Sequence, residues 1–242
     1  MADGPLLPGR LSLVIPAHNE AENLPDLLRR CRGVLPGLAS DWEVVLVDDG
    51  STDGEADVAR ASMEGDAGHL QVVRHERKSG YGVTVADGLR AAQGDFVGFM
   101  DGDGQFAPED LGQLAALIAG GADLACGWRI RRADPWHRSV VSKTFNVLVR
   151  LLYRIRFRDL DCGFKLMRRE TLVAVSPLIS RAALINTEVY FKAARRGCRI
   201  AQVGIQHHPR LKGVRSGGRL KPILRAIREL VLLRVRLARE GF

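Results

Sequence analysis

The chain has 242 residues, of which 46% are hydrophobic and 26% are charged. A chain of this size and composition can bury a core of its own, which excludes collagen-like, coiled-coil and fully disordered proteins. No apolar run approaches the ~18 residues of a membrane-spanning helix. The cysteines lie far apart, which favours reduced thiols over a disulfide framework or a zinc site; they are Cys31, Cys126, Cys162 and Cys198.

The charge is unevenly distributed along the chain. Residues 1–127 contain 9 basic and 21 acidic side chains, a balance of −12, whereas residues 128–242 contain 27 basic and 7 acidic ones, a balance of +20. This asymmetry predicts that the second half meets an anionic partner such as phosphates, a membrane surface or nucleic acid. Two solvated faces of opposite charge are the alternative that composition leaves open.

The first half alternates apolar runs with helix-like stretches, which predicts βαβ units and a mostly parallel sheet. Strands are predicted at residues 11–15, 43–47, 70–73, 95–100 and 123–126. Helices are predicted at residues 21–34, 52–63, 82–92 and 108–118. Pro108, followed by two acidic residues, is typical of a helix start.

Three of these strands end in polar turns that contain acidic residues. The turns are Ala17-His18-Asn19-Glu20, Asp48-Asp49-Gly50-Ser51 and Asp101-Gly102-Asp103. In an open α/β sheet, ligands bind at the carboxyl ends of the strands. We therefore expect the three turns to converge on one crevice.

Two carboxylates one residue apart, Asp101 and Asp103, directly follow an apolar strand. They can bind a hard divalent cation and leave positions open for phosphate oxygens, with Gln105 adding a neutral oxygen nearby. An ordinary acidic turn is the alternative, because Asp-Gly pairs are common in loops.

The acidic turn after the second strand has two interpretations. Its carboxylates could accept hydrogen bonds from a base or from ribose hydroxyls. Alternatively, Ser51 or Thr52 caps the next helix without any ligand. A further turn, Gly80-Tyr81-Gly82, matches neither of the two phosphate-loop patterns GxxxxGK[ST] and GxGxxG, which disfavours kinase-like and NAD-dependent enzymes.

The second half changes character near Pro135. Residues 136–157 are basic and apolar, 159–169 form a polar segment, 182–196 and 219–239 are predicted helices, 199–205 is a predicted strand, and 207–218 form a basic, glycine-rich loop. Residues 136–157 and 219–239 could lie in a membrane interface or pack on the sheet. We expect a tail at 1–9, one domain at 10–218 with halves 10–127 and 128–218, and a basic amphipathic helix at 219–242.

The motifs, taken in order, resemble those of a known family. Pro16-Ala17-His18-Asn19-Glu20, Val47-Asp48-Asp49-Gly50-Ser51-Thr52-Asp53 and Asp101-Gly102-Asp103-Gly104-Gln105 look like the successive signatures of family 2 glycosyltransferases with the GT-A fold. Gly127-Trp128-Arg129, Arg138, Ser142-Lys143 and Asp161-Cys162-Gly163-Phe164-Lys165 are similar to the branch that uses dolichyl or polyprenyl phosphate. The resemblance implies an α/β, Rossmann-like nucleotide-sugar transferase fold with a mostly parallel central sheet and flanking helices.

The resemblance also implies roles for the matching residues. The nucleotide sugar would be bound by Pro16, Ala17, Glu20, Asp48, Asp49, Asp101 and Gly102, with Arg210, Lys212 and Ser216 on a loop near the diphosphate. Mg²⁺ or Mn²⁺ would be held by Asp101, Asp103 and Gln105. The acceptor phosphate would be received by Arg129, Arg138, Ser142 and Lys143, and the catalytic residues would be Asp103, Arg129 and Arg138. Glu188 resembles a glutamate in a helix of the family, with a solvated helix acid as the alternative.

The implied reaction is inverting transfer of a sugar to a polyprenyl or dolichyl phosphate. The first expectation for the donor is GDP-mannose, which would supply mannose. A UDP-sugar donor and a soluble or polysaccharide acceptor are the enzymatic alternatives. A nucleic-acid-binding module is disfavoured, because the acidic first half repels phosphates and no recognised motif occurs. Since the N-terminus has no secretory leader pattern, we expect a cytoplasmic protein bound peripherally to the inner, anionic membrane face.

Overall fold

The computed structural model describes residues 4–130, 147, 149, 153, 157–182, 184–210, 212 and 221–239, with side chains in the last segment from Leu230 onward. The strands are β1 (Leu7–Ala17), β2 (Ala39–Asp48), β3 (Leu70–Arg74), β4 (Phe96–Met100), β5 (Leu124–Arg129), β6 (Phe164–Arg168) and β7 (Ile200–Ile205). The α-helices are α1 (Leu24–Leu38), α2 (Glu55–Ser62), α3 (Tyr81–Ala91), α4 (Leu111–Ala119), α5 (Arg169–Val175), α6 (Ile185–Arg195) and α7 (Lys221–Arg239).

Among the described residues, the strands form one sheet in the order β3-β2-β1-β4-β6-β5-β7. β1 pairs in parallel with both β2 and β4, and β2 pairs in parallel with β3. β6 runs antiparallel to its neighbours β4 and β5, whereas β5 and β7 are parallel. The strand order therefore reverses between β1 and β4, and open α/β sheets bind ligands at such a switch point.

The core has two apolar layers, one on each face of the sheet. One layer joins β1 residues such as Leu13 to α1 and α4, and the other joins Val14, Val45 and Val47 to α3, α6 and α7. Each layer forms because successive side chains of a strand point to opposite faces, so a continuous apolar run feeds both.

The predicted strands and helices of the first half are confirmed, with shifted ends. β1 begins at Leu7, inside the predicted tail. α2 begins at Glu55, three residues later than predicted, because Gly54 takes a left-handed conformation with φ of 78° immediately before it. The expectation that Ser51 or Thr52 caps this helix is wrong, since the cap residue is Gly54 and the side chain that accepts from the first turn is that of Asp53, whose Oδ1 accepts the Glu55 N–H at 3.2 Å.

Two elements of the second half are absent from the sequence prediction. The segment 159–169, expected to be simply polar, contains β6, and α5 follows directly. Most of the predicted interfacial stretch 136–157 lies outside the described residues, but Tyr153 and Phe157 at its end are buried against Phe191 and Tyr190. In the part of the chain that the structure describes, no helix has the length and apolarity needed to cross a membrane.

Candidate active site

A cavity of about 980 Å³ lies at the carboxyl ends of β1, β2 and β4. The three acidic turns therefore converge as expected. The lining includes eight residues that the sequence singled out, namely Pro16, Ala17, Glu20, Asp49, Asp101, Gly102, Asp103 and Arg210. It also includes residues to which the sequence assigned no role, among them Asn19, Asn23, Lys78, Tyr81 and Thr84.

The turn after β1 is bonded to the turn after β2. Asn19 has a positive φ of 57°, a conformation that asparagine tolerates better than most residues. Its backbone N–H donates to Ser51 Oγ at 3.0 Å, and its Oδ1 accepts from the Thr52 N–H at 2.9 Å. These bonds fix one wall of the cavity.

Asp101 and Asp103 form an acidic pair in the cavity. Burial, and after it the charge of Asp103, raises the pKa of Asp101 to about 7, against the opposing effects of Tyr81, Arg129 and Lys165. Burial also raises the pKa of Asp103. Two half-buried carboxylates that repel each other are hard oxygen donors with too little positive charge around them, and this fits a divalent cation.

The two carboxylates would not make a complete metal cage. Among the described residues, no group of three or more His, Cys, Asp or Glu side chains is placed to hold a metal ion. The Gln105 side-chain amide nitrogen donates to the His208 carbonyl at 3.0 Å. The predicted role of Gln105 as a ligand stays a prediction, and further oxygens must come from elsewhere.

Arg210 lies between two acidic side chains of the cavity. Its Nη2 is 2.6 Å from Glu20 Oε1, and its Nη1 is 3.7 Å from Asp103 Oδ2. The segment around it is held to the acidic turn, because the His208 N–H donates to the Gln105 carbonyl at 2.9 Å. Lys212 Nζ contacts the Glu22 carbonyl at 3.3 Å. Ser216 lies outside the described residues.

Asp49 lines the cavity with a carboxylate that the protein itself engages. Its Oδ1 accepts from the Ser79 N–H at 2.7 Å and lies 2.9 Å from His75 Nδ1, and its Oδ2 accepts from the Gly80 N–H at 3.0 Å. Burial raises the pKa of Asp49, but these hydrogen bonds outweigh it, and the pKa lies below its usual value. Asp49 is therefore ionised and held in place.

Asp48 lies beneath the turn. It is buried, its Oδ1 accepts from the Ser51 N–H at 2.7 Å, and its Oδ2 is 3.3 Å from Arg74 Nε. It is not among the residues that line the cavity. Its predicted contact with the nucleotide stays a prediction.

Arg129, predicted to receive the acceptor phosphate, pairs with an acid of its own chain. Its Nε and Nη2 lie 2.6 and 2.9 Å from the two carboxylate oxygens of Asp159, with both side chains largely buried. It is close enough to oppose the raised pKa of Asp101, yet it is not among the lining residues. Arg138, Ser142 and Lys143 lie outside the described residues, so their roles stay predictions.

Glu188 is not a solvated helix acid, and that alternative is wrong. It is fully buried, accepts hydrogen bonds from the backbone N–H groups of Ile179 and Ser180, and lies 2.9 Å from Lys192 Nζ. It is also absent from the cavity lining. In this structure it fixes the loop between α5 and α6.

The comparisons with known proteins agree with this architecture. Residues 12–184 match the family model described as glycosyl transferase family 2. The chain belongs to glycosyl transferase family 2. This family 2 glycosyltransferase is 32% identical over 216 residues to the polyprenol monophosphomannose synthase of Mycolicibacterium smegmatis, a match that covers 85% of this chain and 80% of that protein.

A second relative is the undecaprenyl-phosphate 4-deoxy-4-formamido-L-arabinose transferase of Sodalis glossinidius, 32% identical over 181 residues. That match covers 75% of this chain but only 56% of the relative, so this chain spans little more than half the length of that transferase.

Solved structures confirm the GT-A fold. Glucosyl-3-phosphoglycerate synthase from Mycobacterium tuberculosis, crystallised with Mn²⁺, UDP and phosphoglyceric acid, has a TM-score of 0.73 at 20% identity, covering 93% of this chain and 78% of that one. A structure of the same enzyme with Mg²⁺ and UDP has a TM-score of 0.68 at 20% identity, covering 93% of this chain and 79% of that one.

Proposed function

We propose that this family 2 glycosyltransferase transfers a sugar to a polyprenyl phosphate with inversion at the anomeric carbon. The first candidate for the donor is GDP-mannose. One observation carries the proposal: the acidic turns of three parallel strands line one cavity, with Asp101 and Asp103 as a half-buried pair and Arg210 beside them. The acceptor is inferred from the relatives, whose names specify polyprenol and undecaprenyl phosphate.

The nucleotide would lie between the turns after β1 and β2. Asp49 offers an ionised, fixed carboxylate that can accept from a base or ribose donor, since Oδ2 accepts only from the Gly80 N–H among the described residues and has a lone pair to spare. The backbone from Pro16 to Glu20 forms the facing wall. Both features support nucleoside binding at this edge of the cavity.

The diphosphate would lie beside the acidic pair. Asp101 and Asp103 would hold Mg²⁺ or Mn²⁺ while diphosphate oxygens complete its coordination. When bound, the cation stabilises the negative charge that develops on the departing nucleoside diphosphate. Arg210 is a second positive charge for the same group, because it already lies within 4 Å of Asp103.

The acceptor makes a strong general base unnecessary. A lipid phosphate is already anionic at neutral pH, so the protein has to bind it and direct one of its oxygens at the anomeric carbon from the face opposite the leaving group. The excess of arginine in residues 128–242 supports this reading. We propose Arg129, Arg138, Ser142 and Lys143 for the phosphate.

We further propose that the enzyme works at the inner, anionic face of the membrane. Leu230, Leu233 and Leu237 of α7 pack inward, whereas Val231, Leu232 and Val235 are 45–47% exposed. Arg236 and Arg239 are exposed on the same helix. An apolar strip beside arginines is suited to the boundary between acyl chains and anionic headgroups.

The test of the metal site combines binding with turnover. Asp103→Asn should abolish the Mn²⁺-dependent part of GDP or UDP binding in calorimetry and lower kcat/KM by about a hundredfold or more, since a charge-stabilising contact is lost. Asp57→Asn, which makes the same change at an exposed position of α2, should leave both unchanged. Unchanged Mn²⁺-dependent binding in Asp103→Asn would remove the proposed site.

Turnover assays settle donor and acceptor. Radiolabelled GDP-mannose, UDP-glucose and UDP-N-acetylglucosamine are incubated with polyprenyl phosphate, and the label in the lipid extract is counted. We expect mannose to be incorporated. Label found only in water-soluble products would overturn the lipid acceptor.

A further inference from the structure

The carboxylate of Asp101 is held by a tyrosine of a different element. The Tyr81 hydroxyl, at the first residue of α3, donates to Asp101 Oδ1 at 2.7 Å. Among the described residues, no other side chain hydrogen-bonds to this carboxylate, so Oδ2 stays available. Gly163 packs directly against the same group, since a Cβ there would overlap both carboxylate oxygens.

The start of α3 is itself fixed. The Gly82 N–H donates to the Arg181 carbonyl at 3.2 Å, and a Cβ at Gly82 would overlap the backbone of residues 180–182. Tyr81 therefore projects from a rigid helix end whose position is set by the loop before α6. A side chain placed in this way can impose a geometry on Asp101.

A chain of buried polar groups continues behind Tyr81. The side chain of Asn186 in α6 lies near the tyrosine hydroxyl, and its Oδ1 accepts from Lys165 Nζ at 2.7 Å. Because the amide oxygen is used by the lysine, the amide nitrogen is the group that can donate to Tyr81. Two hydrogen bonds, from the ammonium to the amide oxygen and from the hydroxyl to the carboxylate, are each 2.7 Å long and both point toward Asp101.

Lys165 is an unusual starting point for such a chain. It is 1% exposed, and its charge opposes the raised pKa of Asp101, although among the described residues no carboxylate lies within 4 Å of its Nζ. Its other contacts are the Cys162 carbonyl and the ring of Phe99, whose centroid is 5.3 Å away. A buried ammonium without an acid of its own is costly. Connected hydrogen bonds in a low dielectric polarise one another toward Asp101.

We propose that Tyr81 is a positioning residue for the donor-bound divalent cation, and that Asn186 acts on the cation only through it. Tyr81 would occupy Oδ1 of Asp101 and so present Oδ2 to the cation. This inference rests on the proposed function, in which Asp101 is a metal ligand. Groups that orient a metal ligand are typically worth 10–100-fold in metal affinity or activity.

The test is Tyr81→Phe, which removes one hydroxyl and keeps the ring. Free Mn²⁺ is followed by its electron paramagnetic resonance signal as the protein is titrated in saturating GDP and, in parallel, in saturating UDP. We expect Mn²⁺ affinity to fall about tenfold. In turnover, the Mn²⁺ concentration for half-maximal rate should rise by the same factor, while kcat at saturating Mn²⁺ stays within about threefold.

Tyr153→Phe is the matched control. Its hydroxyl donates to the Leu230 carbonyl at 2.9 Å and is also buried, but it lies in the α7 contact and not in the cavity. The same atom is thus removed elsewhere, and Mn²⁺ affinity should be unchanged. An equal loss in both variants would mean that general loosening, and not positioning, is the cause, and would overturn the proposal.

Asn186→Asp tests the chain behind Tyr81. An aspartate can pair with Lys165 but can no longer donate to the tyrosine, so it should compete with Asp101 for the hydroxyl and weaken Mn²⁺ binding. Since Asn186 acts only through Tyr81, adding Asn186→Asp to Tyr81→Phe should weaken binding no further. Additive losses in the double variant would overturn this inference alone. So would a Tyr81→Phe protein that binds Mn²⁺ within twofold of the wild type, provided that the wild type itself binds Mn²⁺ and transfers sugar. A wild-type protein that binds no Mn²⁺ with either nucleotide would overturn both this inference and the proposed metal site.

Discussion

Glu55 is a buried acid at the start of α2 that is hydrogen-bonded to the turn after β1. It is fully buried, and its Oε2 accepts from the Glu20 N–H at 2.8 Å, while Oε1 has no hydrogen-bond partner among the residues that the structure describes. Burial raises its pKa to about 7, from an ordinary value of 4.5, and the charges of Asp48 and Asp53 add to the rise. Below about pH 7 the protonated form is therefore favoured in the folded protein.

We predict that Glu55→Gln stabilises the protein at high pH only. Between pH 4.5 and 7 the unfolded glutamate releases its proton first, so the wild type loses stability as pH rises, whereas glutamine does not titrate. The free energy of unfolding of the variant minus that of the wild type should increase by on the order of 2–3 kcal/mol from pH 4 to pH 8. Urea denaturation at both pH values measures this, and a difference that does not change with pH would contradict it.

At the scale of elements, α6 fixes the loop that supports α3. Glu188 accepts the N–H groups of Ile179 and Ser180, and Lys192, one turn later, donates to the Pro177 carbonyl at 2.6 Å. Residues 180–182 in turn contact Gly82. The helix thus determines where the cavity wall that carries Tyr81 begins.

We predict that Glu188→Ala lowers the free energy of unfolding by about 3–5 kcal/mol, because it removes the acid that lies 2.9 Å from the buried Lys192 ammonium. Adding Lys192→Met should recover part of the loss, since the buried positive charge is then removed as well. Both are measured by urea denaturation. An additive or larger loss in the double variant would show that the ion pair is not what Glu188 contributes.

The elements themselves were predictable where apolar periodicity is clean. β1, β2 and β4 are continuous apolar runs, and they were found with errors only at their ends. β6 was missed because its second residue, Lys165, is buried at 1% exposure, so a charged residue stands where a core residue is expected. A pattern that counts lysine as solvated cannot find such a strand.

At the scale of the whole molecule, the sequence predicted the convergence of the acidic turns but not what surrounds them. Convergence follows from strand order, which the alternation of elements implies. The pairing of Arg129 with Asp159 and that of Tyr81 with Asp101 join residues 30 and 20 positions apart. No local spacing rule connects such residues, because only the packing of elements brings them together.

The uneven charge and the exposed strip of α7 lead to a prediction for the whole protein. Vesicles of phosphatidylglycerol and phosphatidylcholine should bind it more tightly than phosphatidylcholine alone, and 0.5 M NaCl should weaken this about threefold or more, because screening removes the attraction of arginine to headgroups. Val231→Ser combined with Val235→Ser should weaken binding to the anionic vesicles about tenfold, since both side chains would enter the interface.

Val173→Ser is the control for that measurement. Val173 is 66% exposed on α5, so it makes the same change at an apolar surface position outside α7. Vesicle flotation of this variant should match the wild type, because an isolated exposed valine needs no membrane to explain it. If the α7 variant floats like the wild type, or if Val173→Ser loses as much, α7 is not the membrane contact. A wild-type protein that does not bind anionic vesicles but still transfers sugar would instead favour a soluble acceptor.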